Sequence, residues 1–267
     1  MRAASPLIDA PPTVRGKPRV PPARAASLRL GGVTPFSTVD WPGKLAAVAF
    51  VQGCPWRCAY CHNAHLQASA PVDAPTFDEF ATWLRSRIGL LDAVVFSGGE
   101  PTAQAALPAA MRVVKALGFA VGLHTAGASP RRLAEALPCA DWVGFDMKAA
   151  ARDVPSITHA ARSGYIAMTS LRLLLDSGVP HEIRTTVHPG LLDDAALLRL
   201  ADELASLGVR RWVLQRFRPA GCADAGLVAA APHGAGIGAA LVARLRERVP
   251  VIELRAYGRE VRQEFRA

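Results

Sequence analysis

The sequence predicts an α/β fold, a partial (βα)6 barrel in which right-handed crossovers wind six parallel strands into a curved sheet. Three observations carry this. Short, nearly continuous apolar runs at residues 45–52, 93–97, 119–124, 142–147, 182–187 and 211–217 have the length and character of parallel strands covered by helices. Stretches with helical pattern at 76–88, 103–117, 130–137, 165–177 and 193–207 separate them, and another at 239–248 follows the last. The 267 residues also suit one large unit, since α/β barrels occupy about 200 to 250 residues.

Composition narrows the class. With 51% hydrophobic and 20% charged residues the chain can bury a sizeable core, and no apolar run approaches the roughly 18 residues a membrane span needs, so a membrane partner is not expected. Five cysteines and no secretory signal point to a reducing, cytoplasmic setting. More than half of the formal charge of +9 comes from Arg2, Arg15, Lys17, Arg19, Arg24 and Arg29 against Asp9. Without aromatic residues interleaved among these bases, nucleic-acid binding is not expected. Residues 1–27 are rich in Pro, Ala and Arg and read as a disordered extension, leaving 28–267 as the folded domain. An organellar transit peptide fits less well, because the stretch has two serines and its prolines break an amphipathic helix.

Taken in order, residues 28–43 place turn residues around short apolar pieces and read as a small β-element covering the barrel entrance. The first strand then runs straight into a loop bearing Cys54, Cys58 and Cys61. Three thiols so close in sequence can face one centre, and soft thiolates favour zinc or iron-sulfur centres. A structural zinc or an electron carrier normally takes four protein ligands, whereas three thiolates on a cubane cluster leave one iron open to a small molecule. A zinc site completed by His62 or His65, or a four-cysteine cluster completed by Cys139 or Cys222, are the competing readings. His62 is badly placed for the metal of adjacent Cys61, and the two distant cysteines have the character of small buried hydrophobes.

In such barrels reactive groups gather where strands end. The second strand ends in Gly98-Gly99-Glu100, where two glycines allow close backbone approach to a ligand and offer amides to a charged group; a tight βα connection is the plainer reading. The third ends in His124-Thr125-Ala126-Gly127. On the fourth, Trp142, Gly144, Asp146 and Lys148 share one face, and charges turned into a lumen must be paired or used. On the fifth, Glu182, Arg184, Thr186 and His188 make one face polar throughout; the fork of Arg184 suits a carboxylate, with Glu182 as its alternative partner. The sixth offers Gln215 and Arg216, with Arg218 beyond, and no individual roles follow. Residues 219–238 are rich in Gly and Ala and read as a mobile loop, before the helix at 239–248 and a short strand at 251–256.

The spacing of Cys54, Cys58 and Cys61 resembles the signature of the radical S-adenosylmethionine (radical SAM) enzymes. Its flanks, from Phe36 to Lys44 and Cys61-His62-Asn63, are similar to those of glycyl-radical-enzyme activases, most closely the activating proteins of anaerobic ribonucleotide reductase. The likeness runs from about Leu28 to at least Pro219. It implies the incomplete (βα)6 barrel of the radical SAM type, and a [4Fe-4S] cluster on the three cysteines with S-adenosylmethionine on its open iron. By the same resemblance Gly98, Gly99 and Glu100 hold the methionine amino group, Arg184 binds its carboxylate, and Thr125 contacts the cofactor. Thr186 and Val187 lie near the sugar or adenine, and Asp146 and Lys148 border cofactor and substrate peptide. His124 and Ala126 depart from the Asp or Asn that activases often have there, which calls into question a cation site that such an Asp would supply. The implied activity is reductive cleavage of S-adenosylmethionine and abstraction of a glycyl hydrogen from a partner enzyme, with no general acid or base. A flavodoxin- or ferredoxin-type donor would supply the electron. Activation of pyruvate formate-lyase or another glycyl radical enzyme, and radical chemistry on a small molecule, share the cofactor motifs; a non-enzymatic metal-binding module shares only the cysteine loop.

Overall fold

A computed structural model of the chain describes residues 24–69, 73–231 and 237–255. Residues 1–23, most of the expected extension, lie outside the described residues, whereas Ala25–Ser27 form a 3-10 turn that leads into buried Leu28. The elements follow in the order β1 (Leu30–Ser37), β2 (Ala46–Val51), α1 (Phe77–Arg85), β3 (Ala93–Gly98), α2 (Leu107–Ala116), β4 (Ala120–Thr125), α3 (Pro130–Ala136) and β5 (Trp142–Asp146). The second half continues with α4 (Val154–Thr158), α5 (Ser163–Ser177), β6 (His181–Val187), α6 (Asp194–Ser206), β7 (Arg211–Arg216), α7 (Ala225–Ala229), α8 (Ala239–Arg246) and β8 (Val251–Arg255).

The eight strands form one sheet in sequence order, with β1 antiparallel to β2 and every later neighbour parallel. β1 and β8 stand at its two ends, so the barrel is open between them among the described residues. The expected architecture is therefore present, with the short strand at 251–255 adding a further parallel strand.

Local chemistry sets the helix limits. Thr76 opens α1 with a reciprocal capping box to Glu79, and Asp193 opens α6 by accepting from Ala196 N. The expected helix at 103–117 begins only at Leu107, because Pro108 lacks an N–H and fits only the first turn; Pro101–Ala103 form a 3-10 turn instead. Within the stretch expected to be a mobile loop, Ala225–Ala229 are helical under a cap from Asp224. α4 was not expected: its five residues carry too little pattern to register.

Most of the core lies between the outer face of the sheet and the helices. A second, small cluster of Trp41, Ala46, Val48, Ala93, Val95 and Trp142 fills the inside of the curve at the strands' N-terminal ends. Trp41 stacks on Trp142 with ring centroids 5.4 Å apart. It fits because residue 122 is glycine, where a Cβ would come within 2.9 Å of the Trp41 ring. The connection from β1 to β2 thus plugs the end of the lumen opposite the cysteine loop, which corrects the expectation of a cover over the entrance.

Candidate functional site

The strands' C-terminal ends surround a cavity of about 780 Å³, counting its open mouth. Cys54, Cys58 and Cys61 form one side; Ser97, Gly98, Gly99 and Glu100 from the end of β3 and His124, Thr125 and Ala126 from β4 form another, with Asp146, Lys148 and Thr186 beyond. Of the residues expected at the site, all line this cavity except Arg184, which is buried beneath it, and Val187, which does not reach it.

The cysteine loop is shaped by backbone bonds to two neighbours. Gly53 N and Cys54 N donate to Leu66 O and Gln67 O, closing the loop on itself. Arg57 N and Ala59 N donate to Thr158 O and Ile157 O, so α4 forms its outer brace. Burial pushes the Cys54 thiol up to about 12, and burial likewise raises Cys58. The ammonium of Lys148 works against both shifts, standing 5.4 Å over the Tyr60 ring within the same loop. Burial would lower the Lys148 ammonium, but Tyr60, Cys58 and Asp146 together raise it and keep it charged.

Among the described residues no three His, Cys, Asp or Glu side chains converge as ligands to one ion. Cys139 is buried at the end of α3, where its sulfur meets Arg112 Nη1 at 3.7 Å, and Cys222 points at Ala59 O; neither lines the cavity. His65 does not line the cavity, and His62 bonds Arg218 O at 2.6 Å and stacks on Phe217. The donor set at the cavity is thus three thiols, spread along its wall.

The Gly-Gly-Glu segment forms the tight connection that was its plainer reading. Gly98 has φ +107°, and a Cβ there would sit 2.4 Å from Val51 N; a Cβ on Gly99 would sit 2.5 Å from Gly53 O. The close approach is to β2 and the root of the cysteine loop. The amides are spent there too, Gly99 N on Val51 O and Glu100 N on Gly53 O. Asn63 Nδ2 donates to Gly98 O at 3.2 Å, tying the far end of the cysteine loop to the same turn.

Glu100, 2% exposed, accepts four hydrogen bonds: Oε1 from Thr102 N, Thr102 Oγ1 and Thr125 Oγ1, and Oε2 from Ala126 N at 2.9 Å. Its carboxylate clamps the end of β3 to the end of β4. Thr125 is engaged twice, donating to Glu100 and accepting from Gly127 N.

The lumen charges pair in an order the sequence did not suggest. Arg184 Nε donates to Asp146 Oδ1 at 3.0 Å and Nη1 lies 3.1 Å from His124 Nε2, which bonds Asp40 O at 2.7 Å. Burial would raise the Asp146 carboxyl, but Arg184, Lys148 and His124 outweigh it and hold it low. Burial, then Arg184, brings His124 down to about 4, so the ring is neutral. Glu182, the expected alternative partner of Arg184, is bound instead by Arg255. His188, buried, bonds Leu227 O and holds the α7 segment to β6.

Sequence reading assigned no role to His124, Tyr60 or Asn63. Asn63 belongs to the recognised flank, and Tyr60 lies inside the cysteine loop, so their positions were signals of a kind; nothing in the pattern distinguishes His124 from an ordinary strand-end residue.

Comparison with known proteins adds ancestry. The sequence profile described as Radical SAM superfamily matches residues 48–210. A Methanocaldococcus jannaschii protein named, provisionally, glycyl-radical enzyme activating enzyme MJ1227 is 28% identical over 199 residues, spanning 71% of this chain and 80% of that protein. The pyruvate formate-lyase-activating enzyme of Streptococcus mutans is 31% identical over 186 residues, 64% of this chain and 70% of the enzyme. Among solved structures, QueE from Escherichia coli superposes with a TM-score of 0.51 at 15% identity, covering 85% of this chain and 93% of QueE. SuiB of Streptococcus suis bound to S-adenosylmethionine gives 0.55 at 13% identity, covering 78% of this chain and 49% of SuiB. At such identities these two establish the fold alone.

Proposed function

The chain belongs to the radical SAM superfamily and is related to glycyl-radical-enzyme activating enzymes, and on that premise we propose that it activates an anaerobic ribonucleotide reductase by removing one glycyl hydrogen atom. The superfamily works with a [4Fe-4S] cluster and S-adenosylmethionine. Bound together, these supply one-electron cleavage of a sulfonium carbon–sulfur bond and so the means to abstract a hydrogen atom. The observation that carries the reading is the donor set: three thiols and no fourth, facing a polar cavity at the strands' C-terminal ends.

In this reading Cys54, Cys58 and Cys61 hold the cluster, and Lys148 offsets the negative charge of the thiolates. With the amides of Gly99 and Glu100 spent, the turn after β3 meets an ammonium group with oxygen atoms, including the free acceptor site on Glu100 Oε2. Thr125 and Thr186 line the cavity beside it, and Arg184 supplies positive charge toward a carboxylate from behind Asp146 and His124. A glycine loop of the partner enters past Asp146 and Lys148, glycine being the residue whose backbone best tolerates so close an approach. The setting is cytoplasmic, with a flavodoxin- or ferredoxin-type donor. All five cysteines are free thiols, and among the described residues no helix is long and apolar enough to cross a membrane.

A second reading, activation of pyruvate formate-lyase, is favoured by the names of several relatives at 31% identity. The test mixes the reduced, reconstituted protein and S-adenosylmethionine with each partner and records the glycyl-radical doublet by electron paramagnetic resonance. A doublet with the reductase is expected. A doublet with the formate-lyase only would transfer the assignment to the second reading, and none with either would leave small-molecule chemistry, sought by product analysis.

A further inference from the structure

Two ion pairs, each with one buried partner, lie side by side in the lumen where a single pair was the simpler solution. Glu182 and Arg184 face the same side of β6, about 7 Å apart along the strand and within mutual reach, yet they do not bond. Both oxygens of Glu182 are taken by the fork of Arg255 on β8, Nη1 to Oε1 at 2.8 Å and Nη2 to Oε2 at 2.9 Å. Arg255 Nη2 also donates to Glu253 at 2.7 Å, and Glu253 holds Arg211 at 2.5 Å. Arg184 turns the other way. Its guanidinium lies flat over Gly144, where a Cβ would come within 2.7 Å of Cζ, and reaches Asp146. Glu182 is 4% exposed and Arg184 6%, so neither charge can be released to water.

We propose that Arg255 is a positioning residue for the cofactor site: by occupying both oxygens of Glu182 it keeps that carboxylate off Arg184, and so keeps Arg184 paired with Asp146 at the cavity wall. This rests on the reading that Arg184 and Asp146 serve the cofactor. Without Arg255, a buried carboxylate is left uncompensated and must recruit another cation. Arg211, on the adjoining strand, is held by Glu253, and its side chain is 56% exposed, so it gains least by moving inward. Arg184 is the buried cation at hand. Drawn to Glu182, it would strip Asp146 of its hydrogen-bonded partner and leave a less compensated negative charge, with Lys148 its remaining cation, facing the carboxylate end of the cofactor.

The test uses the full chain, anaerobically reconstituted, with S-adenosylmethionine titrated against the resonance signal of the reduced cluster. Arg255→Ala is expected to keep wild-type iron and sulfide but to weaken cofactor binding about tenfold or more, the loss of one charge-assisted contact. Glu182→Gln in the same background, which removes the competing charge, is expected to restore affinity to within about threefold. A crystal structure of Arg255→Ala should show Glu182 and Arg184 at hydrogen-bond distance. Unchanged affinity in Arg255→Ala overturns the proposal, as does a double variant as weak as the single one, since a merely structural role would not be rescued. Should Arg255→Ala not accumulate folded, Arg255→Lys keeps the charge without the fork and carries the same test, with a shift of about threefold that Glu182→Gln reverses. Arg184→Ala separates the two ideas: unchanged affinity there sinks the underlying reading, whereas a loss there with none in Arg255→Ala sinks only the role of Arg255.

Discussion

Replacing Glu100 by Gln distinguishes a clamp from a ligand. The side chain keeps its size, and one oxygen can go on accepting from Thr102 N, Thr102 Oγ1 and Thr125 Oγ1. The new amide nitrogen must then replace Oε2 opposite Ala126 N, which puts a donor against a donor in a site where the residue is 2% exposed. One charge-assisted bond is lost and one buried N–H is left unpaired, together about 2 to 3 kcal/mol. For a chain of this size each kcal/mol shifts the unfolding midpoint by about 2 to 4 °C, so a drop of about 4 to 12 °C is expected. Urea unfolding of the cluster-free protein and calorimetry of the reconstituted one measure it. A Glu100 that acts only as a ligand would show weaker cofactor binding with unchanged stability. A Glu100→Gln variant within about 0.5 kcal/mol of wild type would therefore refute the clamp.

Three further outcomes are expected. Ala at Cys54, Cys58 or Cys61 abolishes cluster binding and cofactor cleavage, whereas Cys139→Ala and Cys222→Ala retain wild-type iron and sulfide; a folded Cys222→Ala protein that loses the cluster would make Cys222 a ligand. Because the folded value of His124 lies near 4, below its unfolded value of 6.5, the folded chain binds fewer protons between these limits. Its contribution of about 3 kcal/mol is thus present above pH 6.5 and lost as pH falls through 4; His124→Asn should flatten this part of the urea-stability profile, and an unaltered profile would mean that other groups cause it. Trp41→Ala removes the stacked plug of the lumen floor and should cost about 3 to 5 kcal/mol while leaving iron content unchanged, so a loss below about 1 kcal/mol would deny the plug its structural role.

The order of strands and helices was legible from the sequence because each strand is a local apolar run and each crossover has only one favourable hand. The three cysteines were legible from their spacing, and Asp146, Arg184 and Thr186 facing inward from alternation, which fixes the face of every residue along a strand. What alternation cannot fix is which of several inward charges pair. Asp146 had Lys148 two residues away and Arg184 had Glu182, yet the pairs formed are Arg184 with Asp146 and Arg255 with Glu182. Those choices depend on strand register and on the space above Gly144, which exist only once the sheet has closed. In the same way, the two glycines at 98 and 99 signalled a close backbone approach or a tight turn, but the sequence by itself did not determine what approaches them. Tertiary packing decided that: the nearest atoms are the backbone of β2 and of the cysteine loop, because one tight turn must dock against both.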